Sequence, residues 1–198
     1  MPILRPHEEV AERVLLPGDP GRALRLAQQL LDGPKMLNHN RGLWGYTGVA
    51  VDGAPMTIQS TGLGGPSTAL VVEELIALGA RRVVRAGTCT AFVEAQLIIP
   101  DAVLPHDGTS RALGADGPLA PDPVLFAALR AAGNGAAVGT VVSADILGGE
   151  WPGAVALDLT TAAVFAVAMR HGVPAACVLA RDEEGEAELG RVAASACA

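Results

Sequence analysis

The amino-acid sequence consists of short apolar runs that end in turns rich in glycine and proline. Residues 14–16 form the first run, which stops at a Pro-Gly-Asp-Pro turn, and apolar residues then recur at helical spacing. This pattern predicts a strand over 14–16, a tight loop and a helix over 22–31. Two β-rich runs, 46–51 and 55–60, flank an Asp-Gly dipeptide and therefore predict a hairpin.

A second glycine-rich loop, Thr61-Gly62-Leu63-Gly64-Gly65-Pro66, follows the hairpin. Ser67 stands where a helix N-cap is expected, and residues 69–78 are good helix formers that stop at Gly79. A β-branched run over 82–86 then ends in Gly87-Thr88-Cys89-Thr90. The order strand, loop, helix, strand, loop is typical of parallel βαβ winding.

The second half of the chain predicts a further set of strands and helices. Residues 97–104 form an apolar segment, interrupted at Pro100 and Asp101, that predicts a strand with a bend. Residues 105–123 have the Gly, Pro and Asp content of a loop. Beyond them we predict helices over 123–132, 160–170 and 183–197 and strands over 138–142, 154–157 and 173–180. We find no internal repeat or linker, so the sequence predicts one α/β domain over residues 1–198.

Composition and charge narrow the classes of function. The chain has 198 residues, of which 50% are hydrophobic and 18% charged, so it can bury a core and is not a disordered chain. Its 14 Lys and Arg against 21 Asp and Glu give a net charge of −7, which argues against nucleic acid or an anionic membrane as partner. No apolar run reaches the ~20 residues of a membrane span, and residues 1–10 carry Arg5, Glu8 and Glu9 where a signal peptide needs an apolar stretch. Three cysteines without CxxC spacing predict reduced thiols rather than a metal site, and we expect a cytoplasmic protein.

Three glycine-containing loops each follow an apolar strand, and in an open α/β sheet such loops gather around one crevice. The first loop offers backbone N–H groups around Gly18 with Arg22 close behind, and the third offers Arg85 and the Thr88 hydroxyl. Guanidinium groups, glycine N–H groups and a hydroxyl together suit an oxyanion such as phosphate. The alternative is that a helix end or a carboxylate such as Asp19 saturates these arginines, and the sequence leaves both interpretations open. Neither loop matches a Walker P-loop or a GxGxxG motif.

Five motifs occur in order between residues 14 and 92. They are Pro17-Gly18-Asp19-Pro20-Gly21-Arg22-Ala23, Arg41-Gly42-Leu43-Trp44-Gly45-Tyr46-Thr47-Gly48, Ser60-Thr61-Gly62-Leu63-Gly64-Gly65-Pro66-Ser67, Glu73-Glu74-Leu75 and Arg85-Ala86-Gly87-Thr88-Cys89. This set resembles the nucleoside phosphorylase-I family, which includes the hexameric purine nucleoside phosphorylases and the uridine phosphorylases. From residue 97 onward the match is looser. The resemblance implies a single α/β domain with a mixed, partly barrel-like central sheet flanked by helices.

The resemblance also implies phosphorolysis, in which inorganic phosphate attacks the anomeric carbon of a nucleoside and releases the base. The family needs no metal or organic cofactor, and phosphate is the co-substrate. Carried over by position, the phosphate-binding residues are Gly18, Arg22, Arg85 and Thr88, with Arg41 reaching in from a neighbouring subunit. The nucleoside-binding residues are His7, which also crosses between subunits to the sugar, Leu63 on the sugar, and Cys89 and Thr90 beside the base.

The chain departs from the family pattern around the nucleoside. Where family members carry Met-Glu, with the glutamate on the ribose hydroxyls, this chain has Leu159-Thr160. A threonine cannot replace both charge-assisted hydrogen bonds of a carboxylate at equal strength. Thr90 replaces a glycine beside the base, and Leu147 stands where an aromatic residue often covers it. A shorter segment before Asp158 and a shorter C-terminal tail reduce the lid over the base.

Asp182 follows the last predicted strand, where purine-specific family members carry the aspartate that protonates N7 of the leaving base. That general-acid role needs a raised pKa. The alternative is a solvated acidic loop, because Glu183 and Glu184 follow directly, and the sequence leaves both interpretations open. Arg191 matches, at a shortened spacing, the family arginine that assists this acid.

These observations lead to two hypotheses of different classes. The first is a phosphorylase acting on a purine or a pyrimidine nucleoside, and the resemblance does not settle which. The second is a catalytically impaired relative that serves as a ligand-binding or subunit-interaction protein, because of Leu159-Thr160 and the short tail. A nucleosidase that uses water is disfavoured, since those relatives do not need the arginine set. Because Arg41 and His7 are expected to act across subunits, we expect a homodimer or a homohexamer built as a trimer of dimers.

Overall fold

A computed structural model describes residues 2–197, with the backbone alone described for residues 183–185 and 187. Its strands are β1 (Arg13–Leu16), β2 (Leu31–Asn38), β3 (Gly45–Ala50), β4 (Pro55–Gln59), β5 (Arg82–Thr88), β6 (Thr90–Ala91), β7 (Leu97–His106), β8 (Ala137–Ala144), β9 (Ala156–Asp158) and β10 (Ala175–Ala180). Its helices are α1 (Pro20–Leu30), α2 (Gly64–Ala77), α3 (Gly108–Ala112), α4 (Pro123–Ala132), α5 (Thr161–His171) and α6 (Glu183–Cys197).

Within residues 2–197 the ten strands form one mixed sheet in the order β2-β3-β4-β1-β5-β10-β7-β8-β9-β6. Strands β4, β1, β5 and β10 run parallel to one another. Strands β7, β8 and β9 form a second parallel group, which pairs antiparallel to β10. The edge strand β6 starts two residues after β5 ends, so the strands from β5 to β9 must curl back on themselves. The predicted α/β fold with a mixed, partly barrel-like sheet is therefore confirmed.

Helices cover both faces of the sheet because neighbouring residues of a strand point to opposite sides. On β5, Val83 packs in the cluster that contains α2 and α5, whereas Val84 packs in the cluster that contains α1 and α6. All six residues of β10 are buried. The core is built of Ala, Val and Leu side chains in these two layers, which agrees with an aromatic content of 3%.

Most of the predicted elements are confirmed to within a few residues. The hairpin corresponds to β3 and β4, joined by a turn in which Gly53 has a φ of 82°. Helix α5 ends at His171, and Gly172 is its left-handed C-cap with a φ of 64°, as predicted. The strands predicted over 14–16, 82–86, 138–142 and 173–180 correspond to β1, β5, β8 and β10.

Strand β2 is not predicted by the sequence pattern, and helix α1 ends at Leu30, one residue before its predicted end. The structure shows β2 as an edge strand that pairs with β3, and its residues from Asp32 to Met36 are all exposed. An edge strand has a partner on one side and needs no alternation of apolar and polar residues. Gly33 and Pro34 also weaken the sequence signal for a strand, because both residues are typical of turns.

Two predictions for loop segments are wrong. Helix α2 begins at Gly64, so Ser67 lies inside its first turn rather than at the N-cap, and the Ser67 hydroxyl donates to the Thr61 carbonyl at 2.6 Å. Residues 105–123 are not all loop, since β7 extends to His106 and Asp107 caps the five-residue helix α3. A helix of that length is too short for a periodic apolar pattern.

Candidate active site

The loops that follow β1, β4 and β5 meet at one edge of the sheet and line a cavity of about 530 Å³. They are the three glycine-containing loops of the sequence, and they converge because their strands run parallel. The cavity is lined by Gly18, Asp19, Pro20, Arg22, Gly62, Leu63, Arg85, Thr88, Cys89, Thr90, Leu147, Leu157, Asp158, Leu159 and Thr160. The predicted crevice is therefore confirmed, and it contains most of the candidate site residues.

Backbone hydrogen bonds fix the first loop to the second. Thr61 N donates to Pro17 O at 2.9 Å, and Gly62 N donates to Gly18 O at 3.0 Å. Gly62 has a φ of 76°, and a Cβ at this position would lie 2.5 Å from a side chain of α2, so glycine is required. A Cβ on Gly18 would lie 4.0 Å from Arg85 Nη1, which places the third loop against the first.

Arg85 is buried near the end of β5, with 4% of its surface exposed. Its Nε and Nη2 lie 3.2 Å and 3.1 Å from Asp158 Oδ2. Its Nη1 is buried and has no hydrogen-bond partner among the described residues. Because an unpaired buried donor is costly, this nitrogen is suited to bind a ligand oxygen. Gly87 allows this arrangement, since a Cβ there would lie 2.5 Å from Arg85 Nη2.

Asp158 anchors this cluster, although sequence reasoning assigned it no role in the site. Its side chain is fully buried, and besides Arg85 it accepts from Thr161 N at 3.0 Å, from Thr161 Oγ1 at 2.5 Å and from Ser143 Oγ. Thr161 is the first residue of α5, where the helix dipole favours a negative charge. The sequence does carry a signal, an acidic residue directly after the apolar run 154–157, but the arginine it serves is 73 positions away.

Arg22 lies in the first turn of α1 and is 8% exposed. Glu186 Oε1, on α6, accepts from Arg22 Nε at 2.9 Å and also from Nη2. Asp19 instead caps α1, and its Oδ1 accepts from Arg22 N at 2.7 Å. Internal carboxylates thus hold part of each cavity guanidinium, but they are Asp158 and Glu186 rather than Asp19.

The remainder of the cavity is largely apolar. Leu63 and Leu147 are 80% and 67% exposed, so their side chains are available to an incoming ligand. The Thr160 hydroxyl donates to Asp158 Oδ2 at 3.3 Å. Burial raises the pKa of the Cys89 thiol to about 12, with the Asp158 charge adding to the rise and the Arg85 charge opposing it. Cys89 is therefore a neutral thiol at pH 7 and not a nucleophile.

His7 and Arg41 are candidate residues that lie outside the cavity of their own chain. Both are exposed, and the His7 ring stacks on His39 with ring centroids 5.4 Å apart. Arg41 has a φ of 58°, which is a left-handed backbone conformation that residues other than glycine rarely adopt. Their position agrees with a role across a subunit boundary, which stays a prediction.

Asp182 and Arg191 are also absent from the cavity lining that the described residues form. Ala180, the last residue of β10, accepts from Cys89 N at 3.1 Å, and Cys89 lines the cavity. Asp182 follows two residues later in the sequence and is exposed. Arg191 is exposed on α6 and donates to Ala132 O at 3.2 Å and to Glu188. Their expected roles in proton transfer stay predictions.

Comparison with known proteins places the chain in a family. The family model described as the phosphorylase superfamily matches residues 12–147, a range that includes the three loops, Arg22 and Arg85. The chain belongs to the phosphorylase superfamily. Its assignment rests on the same part of the sequence as the five ordered motifs.

Relatives of this phosphorylase-superfamily chain include proteins named purine nucleoside phosphorylase and proteins named uridine phosphorylase. The DeoD-type purine nucleoside phosphorylase of Geobacillus kaustophilus is 33% identical over 192 residues, which cover 86% of this chain and 80% of the relative. The uridine phosphorylase of Treponema pallidum is 37% identical over 127 residues, which cover 62% of this chain and 48% of the relative. Among solved structures, uridine phosphorylase from Vibrio fischeri matches with a TM-score of 0.86 and 25% identity, covering 95% of this chain and 90% of that chain.

Three further observations bear on the chemistry of this superfamily member. Across the described residues, no group of three or more His, Cys, Asp or Glu side chains is arranged to hold a metal ion. In that same portion, no helix is both long enough and apolar enough to cross a membrane. Cys89, Cys177 and Cys197 are free thiols, as the sequence predicted.

Proposed function

We propose that this protein catalyses the phosphorolysis of nucleosides. A phosphate oxygen forms a bond to the anomeric carbon while the bond from that carbon to the base breaks, which gives the free base and a pentose 1-phosphate. The observation that carries the proposal is Arg85 Nη1, a buried donor without a protein partner in the described chain, beside Gly18 in the cavity. Membership of the phosphorylase superfamily supports it, as do relatives named for purine nucleoside and uridine phosphorylase activity.

The proposed phosphate site is the meeting point of the three loops. Arg85, Arg22, the backbone amides around Gly18 and the Thr88 hydroxyl supply donors for a tetrahedral oxyanion. As the base leaves, the sugar becomes oxocarbenium-like, so an anion fixed beside it both stabilises the positive charge and supplies the nucleophile. The proposed nucleoside contacts within the same chain are Leu63, Cys89, Thr90, Leu147, Leu159 and Thr160.

Chromatography of free base tests this proposal. The purified protein is incubated with adenosine, inosine, guanosine, uridine or thymidine, with and without inorganic phosphate. We expect base release that requires phosphate and yields one pentose 1-phosphate per base. Release at equal rates without phosphate indicates hydrolysis and contradicts the proposal, as does the absence of release from every nucleoside. The same panel separates a purine from a pyrimidine preference, both of which occur among the relatives' names.

A pair of threonine variants locates the phosphate site. Thr88→Val removes a hydroxyl from the cavity lining, and we expect the KM for phosphate to rise about 10-fold, the effect of one hydrogen bond to a charged group. Thr140→Val is the matched control, since Thr140 lies on β8 and outside the lining. Equal phosphate KM values for the two variants exclude Thr88 from the phosphate site.

We further propose roles for two residues that lie outside the cavity lining of the described chain. Asp182 is the proposed proton donor to a purine base, assisted by Arg191, and phosphate is the co-substrate without a metal or organic cofactor.

We propose a homodimer or a homohexamer in which Arg41 and His7 of one subunit complete the cavity of a neighbour, supported by their exposure outside their own cavity. A cytoplasmic location belongs to the same proposal and is supported by the three free thiols.

A further inference from the structure

Glu186 connects the C-terminal helix to one of the two arginines that line the cavity within the described residues. Its Oε1 accepts from Arg22 Nε at 2.9 Å and from Nη2, and its Oε2 accepts from Arg25 Nη2 at 2.9 Å. Glu186 itself is outside the cavity lining, whereas Arg22 is part of it. The carboxylate therefore holds Arg22 from the side of α6 rather than from within the cavity.

The two cavity arginines are held in the same way. Asp158 contacts the Nε and Nη2 atoms of Arg85, and Glu186 contacts the Nε and Nη2 atoms of Arg22. In both cases Nη1 is the nitrogen that the carboxylate leaves unengaged. A guanidinium presents its donors as a rigid fork, so fixing one edge also fixes the direction of the remaining donors.

The packing of α6 on α1 sets the position of Glu186. A Cβ on Gly190, one turn after Glu186, would lie 2.5 Å from Leu26 Cδ2, and Leu26 lies one turn after Arg22 on α1. The ion pair and this close approach are thus successive contacts of one helix–helix interface. Leu189 is fully buried in the core cluster that also contains Leu26, which fixes α6 on that side of the sheet.

Two arginines and two carboxylates meet around Glu186. Arg22 and Arg25 carry two positive charges, and Glu186 and Asp19, which caps α1 and accepts from Arg22 N, carry two negative charges. Both carboxylate oxygens are engaged, so the group is fixed in one orientation. Glu186 therefore orients Arg22, and what this corner offers an anion is the Arg22 nitrogen that Glu186 leaves unengaged rather than a net positive charge.

We propose that Glu186 is a positioning residue for phosphate, acting through Arg22. It holds the guanidinium by the Nε and Nη2 edge before phosphate arrives, so that Nη1 is already directed for an oxyanion and little side-chain freedom is lost on binding. The inference rests on the proposed phosphorolysis and adds a residue of α6 to the phosphate site. It also makes the first turns of α6 part of the machinery that binds phosphate.

Steady-state kinetics of Glu186→Gln tests the proposal, with KM measured separately for phosphate and for the nucleoside that turns over best. We expect the phosphate KM to rise about 10-fold while the nucleoside KM changes less than 2-fold, because the two hydrogen bonds from Arg22 to Glu186 Oε1 lose their charge assistance. Glu73→Gln is the matched control, since Glu73 pairs with His171 at the surface and outside the cavity. A phosphate KM in Glu186→Gln equal to that of the control overturns the proposal.

A double-variant cycle separates positioning from a general effect on the fold. In an Arg22→Met background, Glu186→Gln is expected to leave the phosphate KM unchanged, and additive effects contradict the proposal. Glu186→Asp keeps the charge at a shorter reach, and we expect it to recover part of the loss. A phosphate KM that falls in Glu186→Gln also overturns the proposal, because it makes Glu186 a competitor of phosphate. Absence of turnover in the wild-type protein is a different result and refutes the proposed function itself.

Discussion

At the scale of single residues, the candidate site depends on how a charged side chain is held inside a sheet. Arg85 stands near the end of a strand with both faces covered, where an unpaired charge is unfavourable. Asp158 offsets that cost by taking one edge of the guanidinium, and Ser143 and Thr161 in turn hold Asp158. One nitrogen of Arg85 is left for a ligand. The residue is thus explained by structure and by proposed function together.

Removing the anchor of Arg85 tests this explanation. We expect Asp158→Asn to reduce the free energy of unfolding by about 3–5 kcal/mol, because it leaves a buried arginine without its charged partner. Urea unfolding followed by circular dichroism measures the loss. Glu94→Gln is the control, since Glu94 pairs with Arg181 while 93% of the Glu94 side chain is exposed, and we expect a much smaller change. A loss in Asp158→Asn no larger than in the control contradicts the buried ion pair.

Gly87 provides a second test at this scale. Gly87→Ala places a Cβ where it would lie 2.5 Å from Arg85 Nη2, so the guanidinium must leave its position beside Gly18. We expect the phosphate KM to rise about 10-fold or more, with the displaced donor as the cause. Gly117→Ala is the control, because a Cβ there meets no atom within 4 Å of it among the described residues. Matching kinetics of the two variants would show that Arg85 does not bind phosphate.

At the scale of secondary structure, the sequence predicts the elements that the core requires. A strand such as β10 is apolar on both faces, and a helix such as α4 begins at an Asp-Pro step and carries periodic apolar residues. The pattern does not predict β2, because an exposed edge strand needs no such pattern, nor α3, because five residues are too few. The start of α2 is also missed, since its first turn is built from Gly64, Gly65 and Pro66 and not from an N-cap side chain.

The contact between α1 and α6 has a pH dependence that the structure predicts. Burial opposes the ionisation of Glu186, but the hydrogen bonds and charges of Arg22 and Arg25 outweigh it and lower the pKa of Glu186. A carboxylate with a lowered folded-state pKa stabilises the fold above its unfolded-state value of about 4.3 and loses that effect as pH falls. We expect the melting temperature of the wild type to exceed that of Glu186→Gln at pH 7, with the gap closing below pH ~4. Thermal unfolding from pH 7 to 3 measures it, and a constant gap contradicts the ion pair.

At the scale of the whole molecule, the sequence predicts which loops form the site but not how their side chains are anchored. Gly18 follows β1, and Arg85 and Thr88 lie in the last part of β5, and the parallel arrangement of these strands brings both positions to one edge. Asp158 and Glu186 lie 73 and 164 positions from the arginines they hold, so their role depends on the order of strands and the docking of α6. That information is absent from local patterns and appears once the fold is known.

The assembly of subunits is tested by mixing variants. If Arg41 reaches a neighbouring cavity, a protein with Arg41→Ala and a protein with Arg22→Met are each impaired, but each mixed dimer contains one intact site. We expect co-expressed subunits to exceed the mean activity of the two parent proteins, and light scattering to give the mass of a dimer or hexamer. A monomer, or activity equal to the mean of the parents, contradicts a shared site.

The left-handed conformation of Arg41 has a consequence for protein engineering. Its φ of 58° and ψ of 19° cost roughly 1 kcal/mol for a residue with a side chain, whereas glycine adopts them freely. A screen for heat resistance alone is therefore expected to select Arg41→Gly. The same exchange discards the guanidinium that we propose for a neighbouring cavity. Thermal stability and catalytic activity are thus opposed at position 41. We expect a variant that gains heat resistance there to have a lower catalytic rate than the wild type.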